Sequence, residues 1–308
     1  MNLEVFILGT GGMMPLPGRF LTSVLLRREG DLILFDCGEG TQVALRRLNL
    51  RWKKISTIFI SHTHADHVTG LPGILMLSSQ VDRVEPLVII GPPKVREYVQ
   101  ENRRLLDMYI NYEIVFQDVT EEGPVFRGDG YTVSAFKLNH TKPCFGYSLK
   151  EDLRPGVFYP EKAMDLGVPK GPAWSVLQGG DSITLENGRR IAPEDVLGPP
   201  RQGRKFSFIT DTTVVPQAAK EVADSDLLIC EGMFMEELAE SAAEKKHLTA
   251  KQAAELAKEA GGVKSLGLIH YSPRYSKKEL SVLVTEAKSV FPDSFLTRDG
   301  QYIEIPYT

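Results

Sequence analysis

The segment Ser61-His62-Thr63-His64-Ala65-Asp66-His67 places four metal-binding side chains within six residues. The apolar, β-branched run 55–60 before it predicts a buried strand, and residues 70–75 after it predict a helix. The segment would therefore be a loop at the carboxyl end of a strand, where a rigid element holds the side chains in place. Histidine and aspartate at this spacing are costly to crowd together without a cation, so the segment predicts a metal site.

Composition limits the class of protein. The chain has 308 residues, 42 % of them hydrophobic and 25 % charged, which is typical of a globular protein with one large or two small domains. The net charge of −4 gives no general indication of nucleic-acid binding. The three cysteines are too scattered for a disulfide framework, and no apolar run reaches the roughly 18 residues of a membrane span. We therefore expect a cytoplasmic protein with no membrane partner.

Predicted strands and helices alternate along the chain, which indicates a layered α/β body. A hairpin is expected around residues 29–31, a helix from a Thr249 cap through Ala260, and a final strand pair around Asp299-Gly300. The glycines in 9–12 lack the lysine of a phosphate loop, and they predict backbone lying close to the site.

Two stretches of this body differ from the rest. A basic run, 46–54, is either a solvated helix face or an RNA contact. Residues 153–203 hold seven prolines and many glycines but no core-like apolar run. This segment predicts an insertion that projects from the body, because it cannot bury enough apolar surface to join the core.

Four apolar runs each end on a candidate ligand, and strand ends on one rim of a sheet converge in space. Five of the six histidines belong to this set, and the sixth, His247, precedes a helix. Asp36 ends another strand, where it is either a turn carboxylate or a support for the histidine loop. The seven candidate ligands are His62, His64, Asp66, His67, His140, Asp211 and His270.

Seven ligands are too many for one tetrahedral ion, and they suit two ions that share a carboxylate. Nitrogen and oxygen donors without thiolate favour two Zn²⁺ per chain, with Mn²⁺, Fe²⁺ or Co²⁺ as alternatives. Two such ions lower the pKa of a bridging water, which makes hydroxide available at neutral pH. The sequence therefore predicts metal-assisted hydrolysis of an ester, above all a phosphodiester.

These motifs resemble the metallo-β-lactamase fold and, within it, the ribonuclease Z family of tRNA 3′-processing endonucleases. The histidine motif alone specifies only the superfamily. The closer resemblance rests on Leu-Phe-Asp-Cys-Gly-Glu-Gly-Thr-Gln at 34–42 and His-Tyr-Ser-Pro-Arg-Tyr at 270–275. It also rests on the pair His247 and Glu231 and on the Gly/Pro-rich stretch 166–172, and it covers essentially the whole chain.

The resemblance implies an αββα sandwich of two mixed sheets, forming a single domain over 1–308. Residues 153–203 would be a flexible arm that binds precursor tRNA, with Gly171 and Pro172 in its motif. The family also implies a homodimer, in which the arm of one subunit grips the tRNA cut by the other. Cleavage would leave a 3′ hydroxyl on the tRNA and a 5′ phosphate on the trailer.

The resemblance also implies a role for each site residue. One ion would be held by His62, His64 and His140, the other by Asp66, His67 and His270, with Asp211 between them. Asp66 would steer or deprotonate the attacking water. A histidine, His247, would protonate the departing 3′ oxygen while Glu231 positions it. Ser272 and Arg274 would hold a substrate phosphate. Independently of the resemblance, Asp36 is a candidate support of the histidine loop.

Two departures from the family pattern stand out. Cys230-Glu231-Gly232-Met233 replaces a frequent His-Glu-Ala-Thr but keeps the glutamate. The loop 15–20 lacks the lysine and asparagine of many family loops, and Phe20 could instead stack on a base.

The residues leave two other functions open: a small-molecule ester or phosphodiester hydrolase of this fold, and a non-catalytic RNA-binding scaffold. A small substrate has no use for the arm, and the complete ligand set opposes a scaffold.

Overall fold

The computed structural model describes residues 2–81 and 83–307. Its strands are β1 (Leu3–Gly9), β2 (Ser23–Arg28), β3 (Asp31–Phe35), β4 (Ile55–Phe59), β5 (Leu87–Gly91), β6 (Ile114–Asp118), β7 (Gly123–Gly128), β8 (Tyr131–Leu138), β9 (Cys144–Glu151), β10 (Ile183–Thr184), β11 (Arg190–Ile191), β12 (Lys205–Ile209), β13 (Leu227–Glu231), β14 (Leu266–Ile269), β15 (Ser294–Leu296) and β16 (Tyr302–Glu304). Its helices are α1 (Thr41–Arg47), α2 (Ala65–Val68), α3 (Leu71–Ser79), α4 (Pro93–Leu105), α5 (Pro160–Asp165), α6 (Pro172–Gln178), α7 (Pro193–Val196), α8 (Pro216–Val222), α9 (Ala239–Lys245), α10 (Ala250–Ala260) and α11 (Leu280–Val290).

Two mixed sheets dominate the described residues. One has the order β16-β1-β2-β3-β4-β5-β6 and the other β15-β14-β13-β12-β9-β8-β7. The hairpin of β2 and β3 is antiparallel as predicted, and β3 to β6 run parallel. The predicted final strand pair is wrong: β15 pairs with β14 and β16 pairs with β1, so the end of the chain contributes one strand to each sheet.

The inner strands of both sheets are buried on both faces, where alternate residues of a strand point to opposite sides, whereas β6, β7 and β16 at the edges are partly exposed. In β3 and β4, Leu34 and Ile58 belong to the apolar cluster that includes α1, α3 and α4. Phe35 and Phe59 point the other way, and Phe35 meets Phe206 of the second sheet with ring centroids 5.3 Å apart. The second sheet packs in turn against α8, α10 and α11. The predicted αββα sandwich of two mixed sheets is thereby confirmed.

Helix α10 shows how local sequence fixes an element of this layer. The Thr249 hydroxyl accepts a hydrogen bond from the amide of Gln252, and the Thr249 amide donates one to the side-chain oxygen of Gln252, which forms the predicted cap. The helix buries an alanine-rich face against the second sheet. No helix within 2–81 or 83–307 is long and apolar enough to cross a membrane.

Residues 129–131 and 150–203 form a second compact unit. This unit holds α5, α6, α7 and the β10–β11 pair, together with a small apolar cluster of its own. The buried residues of this cluster are Ala163, Val168, Leu177, Ile191 and Val196. They stand singly among prolines and glycines, so the sequence contains no apolar run that predicts the cluster.

The single domain over 1–308 and the flexible arm over 153–203 stay predictions.

Candidate metal centre

The metal site is built where four strands end. His62 lies just beyond β4, in the first sheet, whereas His140, Asp211 and His270 follow β8, β12 and β14 of the second sheet. His270 adopts a left-handed backbone conformation with φ of 62°, which turns the chain immediately after the strand. The described residues form three groups whose potential ligand atoms lie within 4.8 Å of one another. The seven predicted ligands make up two of them, His62, His64, His140 and Asp211 in one and Asp66, His67 and His270 in the other, and the third joins Asp211 and His270 to Glu231 and His247.

The first group consists of three imidazoles and one carboxylate. His64 Nδ1 lies 2.9 Å from His62 Nε2 and 3.1 Å from His140 Nε2. Asp211 Oδ2 lies 3.6 Å from both of those Nε2 atoms. Four ligand atoms therefore converge on one small volume, as a tetrahedral site requires.

The second group lies on the other side of Asp211. His67 Nε2 and His270 Nε2 lie 3.3 Å and 3.4 Å from Asp211 Oδ1. Asp66 Oδ2 lies 3.7 Å and 3.2 Å from the same two nitrogens. Because each oxygen of Asp211 faces a different group, this carboxylate is the one that two ions could share.

Hydrogen bonds on the far sides of the rings leave the facing nitrogens available to a metal. His67 donates from Nδ1 to Asp36 Oδ2 at 2.7 Å, and His140 donates from Nδ1 to the carbonyl of Lys246 at 2.9 Å. In the neutral rings the Nε2 atoms therefore carry lone pairs. Among the described residues, the buried Nε2 of His67 finds no hydrogen-bond partner. A cation would satisfy it, so the donor set fits a divalent metal.

The electrostatics of the two groups differ. Burial and the neighbouring imidazoles lower the pKa of His62, which favours the neutral ring that binds metals. Burial also acts to lower the pKa of His270, but the carboxylates of Asp211 and Asp66 outweigh it and raise the pKa to about 10. The second group therefore requires positive charge, and a metal ion can supply it in place of a proton.

The two interpretations of Asp36 are resolved by its contacts. Asp36 is fully buried, and its carboxylate accepts hydrogen bonds from the amide of Ser61, the hydroxyl of Ser61 and the ring of His67. The same hydroxyl lies 3.0 Å from His62 Nδ1. Asp36 thus orients two candidate ligands. The sequence analysis does not predict that Ser61 links Asp36 to His62, and the only signal for this role is its place directly before His62.

His247 and Glu231 form the expected pair. His247 Nδ1 lies 2.9 Å from Glu231 Oε2, and a carboxylate can only accept, so the Nδ1 proton is donated to it. Burial acts to lower the pKa of His247, but Glu231 outweighs it and raises the pKa. The buried Glu231 also accepts the amide of Thr212 at 2.6 Å, which ties the pair to the loop that carries Asp211. This arrangement leaves His247 Nε2 for proton transfer.

The glycine-rich loop after β1 lies against the site, as predicted. A Cβ on Gly12 would come within 2.8 Å of the His270 ring. The next amide, of Met13, donates to Asp66 Oδ2 at 2.7 Å. Met13 itself has a φ of 64° and an exposed side chain. A backbone hydrogen bond of this kind leaves no residue-type signal, so the sequence could not assign it.

The residues expected to meet RNA differ in accessibility. Arg274 is exposed, whereas Ser272 is buried and its hydroxyl accepts from Arg274 Nε at 3.1 Å. The phosphate site at these two residues stays a prediction, with Arg274 as its exposed member. In the second unit, Gly171 is the N-cap of α6 and Pro172 its first residue, and their predicted role in tRNA binding is likewise untested.

The loop 15–20 uses its aromatic ring in packing. Phe20 is half-buried, lies against Gly40, where a Cβ would come within 2.2 Å of the ring, and packs against the core cluster under the first sheet. Stacking of Phe20 on a base stays a prediction. Arg19 is also turned inward and donates to the carbonyls of Ser272 and Tyr275.

A sandwich of two sheets with seven histidine and aspartate ligands at one rim defines a metal-binding protein of the metallo-β-lactamase fold. Residues 183–271 match the model of a family described as beta-lactamase superfamily domain, and residues 3–154 match that of anti-Pycsar protein Apyc1. A crystal structure of human tRNase Z, short form, is similar with a TM-score of 0.73 and 27 % identity, covering 99 % of this chain and 100 % of that one.

Two curated relatives narrow the class. Ribonuclease Z of Treponema denticola is 62 % identical over 307 residues, which cover 100 % of this chain and 99 % of that protein. Ribonuclease Z of Borreliella burgdorferi is 44 % identical and covers 99 % of this chain and 97 % of that protein. The chain belongs to the ribonuclease Z family of metal-dependent endoribonucleases.

Replacing Asp36 by Asn should weaken metal binding by about 10- to 100-fold, because the acceptor that orients His67 and Ser61 loses its charge. Asn tolerates the left-handed backbone of this position, where φ is 55°, so the change removes charge with little strain. Competition with a chromophoric chelator measures the affinity.

Asp31→Asn, at the exposed start of the same strand, is the matched control and should bind metal like the parent. An unchanged affinity in Asp36→Asn would show that His67 is oriented by packing alone.

Proposed function

We propose that this chain removes the 3′ trailer from precursor tRNA by hydrolysis, leaving a 3′ hydroxyl on the tRNA and a 5′ phosphate on the trailer. The observation that carries the proposal is the His247–Glu231 pair beside the two ligand groups. A metal centre alone is compatible with many hydrolases, whereas a buried histidine–carboxylate pair beside it supplies an acid for an alkoxide leaving group. The similarity to Ribonuclease Z of Treponema denticola and to human tRNase Z supports the same substrate.

We propose two Zn²⁺ per chain as the cofactor. His62, His64 and His140 would hold one ion, Asp66, His67 and His270 the other, and Asp211 would bridge them. When bound, the ions supply Lewis acidity and lower the pKa of a bound water. Mn²⁺, Fe²⁺ and Co²⁺ suit the same nitrogen and oxygen donors.

Asp66 would orient the attacking water and accept its proton. The Met13 amide donates to Asp66 Oδ2 at 2.7 Å, which holds the carboxylate whether or not the ions are bound. A carboxylate fixed in this way keeps its direction during the reaction, which is the condition for efficient general base catalysis. The loop after β1 thus contributes to the chemistry through its backbone.

His247 would donate its Nε2 proton to the departing 3′ oxygen of the tRNA. The hydrogen bond from Nδ1 to Glu231 fixes the orientation of the ring and stabilises its protonated form. No neighbouring 2′ hydroxyl takes part, so the attacking group is water and the scissile bond lies on the 3′ oxygen side of the phosphate. Arg274, exposed beside this site, would hold a substrate phosphate.

Three further features belong to the proposal. The chain would act as a homodimer, and residues 153–203, with Gly171 and Pro172, would grip precursor tRNA. We place the enzyme in the cytoplasm, since Cys37, Cys144 and Cys230 are buried free thiols that suit a reducing compartment. Light scattering of the purified chain tests the dimer directly.

Cleavage of a precursor tRNA transcript tests the function. The expected products carry a 3′ hydroxyl on the tRNA and a 5′ phosphate on the trailer, and mapping both RNA ends measures this. A 2′-deoxy substitution at the cleavage site should slow the reaction little. A 2′,3′-cyclic phosphate product would contradict the mechanism, and hydrolysis of bis-p-nitrophenyl phosphate without any cleavage of the transcript would favour a small-molecule hydrolase.

Replacing His247 by Ala should lower kcat on precursor tRNA by roughly 10²- to 10⁴-fold, because the leaving oxygen loses its acid. Metal content and RNA affinity should change little, and Glu231→Gln should show a weaker form of the same defect. Elemental analysis and single-turnover kinetics separate the two properties. The control is Glu244→Ala, on the exposed end of α9. Loss of metal in His247→Ala would identify this residue as a ligand instead.

Removing residues 155–201 should reduce affinity for precursor tRNA while sparing hydrolysis of bis-p-nitrophenyl phosphate. The two ends of the segment already meet, since the amide of Arg154 donates to the carbonyl of Arg201 at 2.8 Å, so a short Gly/Ser linker can close the gap. Binding at several salt concentrations should show a shallower slope as phosphate contacts are lost. Equal loss on both substrates would mean that the segment shapes the active site.

A further inference from the structure

The basic run 46–54, for which the sequence allows either a solvated helix face or an RNA contact, borders a cavity of about 700 Å³. Arg51, Lys53 and Lys54 from this run line it, together with Arg27 of β2 and Arg83 from the segment before β5. Among the described lining residues, the acidic groups are Asp31 and Glu85. Cations from three separate stretches of chain therefore converge on one concave surface.

This cavity is separate from the metal centre. Its lining residues lie where β3, β4 and β5 begin, whereas the metal ligands follow the carboxyl ends of strands. Five residues of β4 separate the two rims, which is ~16 Å at about 3.3 Å per residue. No metal ligand lines the cavity, so its charge has no part in holding the ions.

Arg83 makes the cavity wall rigid. It is only 2 % exposed, and its guanidinium donates to the carbonyls of Lys53, Ile55, Glu85 and Pro86 at 2.7–2.8 Å. These bonds tie the start of β4 to the segment that precedes β5. Because its donors are used in this way, Arg83 fixes the shape of the cavity and leaves ligand binding to its neighbours.

The remaining cations differ in how far they are neutralised. Arg27 makes a bidentate pair with Glu4 at 2.5 Å and 2.8 Å, and Lys54 lies 3.5 Å from Glu85. Arg51 and Lys53 are exposed and form no ion pair among the described residues. Two unneutralised cations on a preformed concave surface attract an anion with more than one charged group.

We propose that this cavity is a second binding site, which takes the phosphate groups of a nucleotide or of an RNA backbone. Its volume lies in the range of small-molecule sites, about 300–1,000 Å³. Arg51 offers a planar fork for phosphate oxygens and Lys53 a mobile point charge, a combination suited to adjacent phosphates. The site does not depend on the proposed cleavage reaction.

Isothermal titration calorimetry on the full chain measures binding, because no tryptophan is among the described residues that line the cavity. Inorganic pyrophosphate, ATP and a ten-nucleotide oligouridylate are each titrated into the protein. We expect saturable binding for at least one of them, with an apparent affinity that falls as salt is added.

The decisive variant is Arg51→Glu with Lys53→Glu, which should weaken binding by about tenfold or more. Lys258→Glu with Lys288→Glu is the matched control, since it makes the same charge change on exposed faces of α10 and α11. It should bind like the parent, and melting temperatures verify that both variants fold.

The three ligands distinguish the source of the phosphate. Saturation by pyrophosphate and ATP, with weak binding of the oligouridylate, assigns the site to a free nucleotide. Tighter binding of the oligouridylate than of ATP, lost in the Arg51/Lys53 variant, assigns it to an RNA backbone. The proposal is overturned if no ligand binds saturably, or if the Arg51/Lys53 variant binds as tightly as the control.

Discussion

The carboxylate of Asp211 is the interaction on which the rest of the site depends. It is 2 % exposed, and each of its oxygens faces a separate pair of imidazoles, the four rings coming from three segments of chain. Burying a carboxylate is expensive unless positive charge compensates it, and the surrounding nitrogens compensate it fully only with protons or cations. The folded site is therefore stable only when protons or cations balance the buried carboxylates. Because the balancing charge must lie close to Asp211, the candidate ligands meet around it.

The packing of the two sheets keeps Asp211 and the surrounding imidazoles in fixed positions. Aromatic contacts between the sheets, such as Phe35 with Phe206 and Phe59 with Tyr147, fix the spacing of the layers. Two residues at the rim, Asp36 and His270, take left-handed backbone conformations, which are unfavourable for residues other than glycine. Both residues are buried and engaged with the ligands, so packing maintains a conformation that the local sequence would not choose.

The chemistry divides between the fold and this particular site. Histidine and aspartate at strand ends provide a generic hydrolytic centre, compatible with many esters. The buried Glu231 gives His247 a fixed orientation, and the Met13 amide does the same for Asp66. In the proposed mechanism, these two contacts restrict the reaction to one direction of attack by water and to one leaving group. In the proposed function, the exposed Arg274 and the second unit would select the substrate.

The sequence by itself determined the ligands, the alternation of strands and helices, and the cap of α10, because these depend on residue type and local periodicity. It did not determine Ser61, the Met13 amide or the inward turn of Phe20, which depend on neighbours distant in the chain. The same reason explains the error at the C-terminus, where Ser294–Leu296 and Tyr302–Glu304 look like one hairpin but join different sheets. Strand partners are chosen by the packing of whole layers. Only the tertiary structure could therefore bring Arg27, Arg51 and Arg83 to one cavity and each oxygen of Asp211 to its own ligand group.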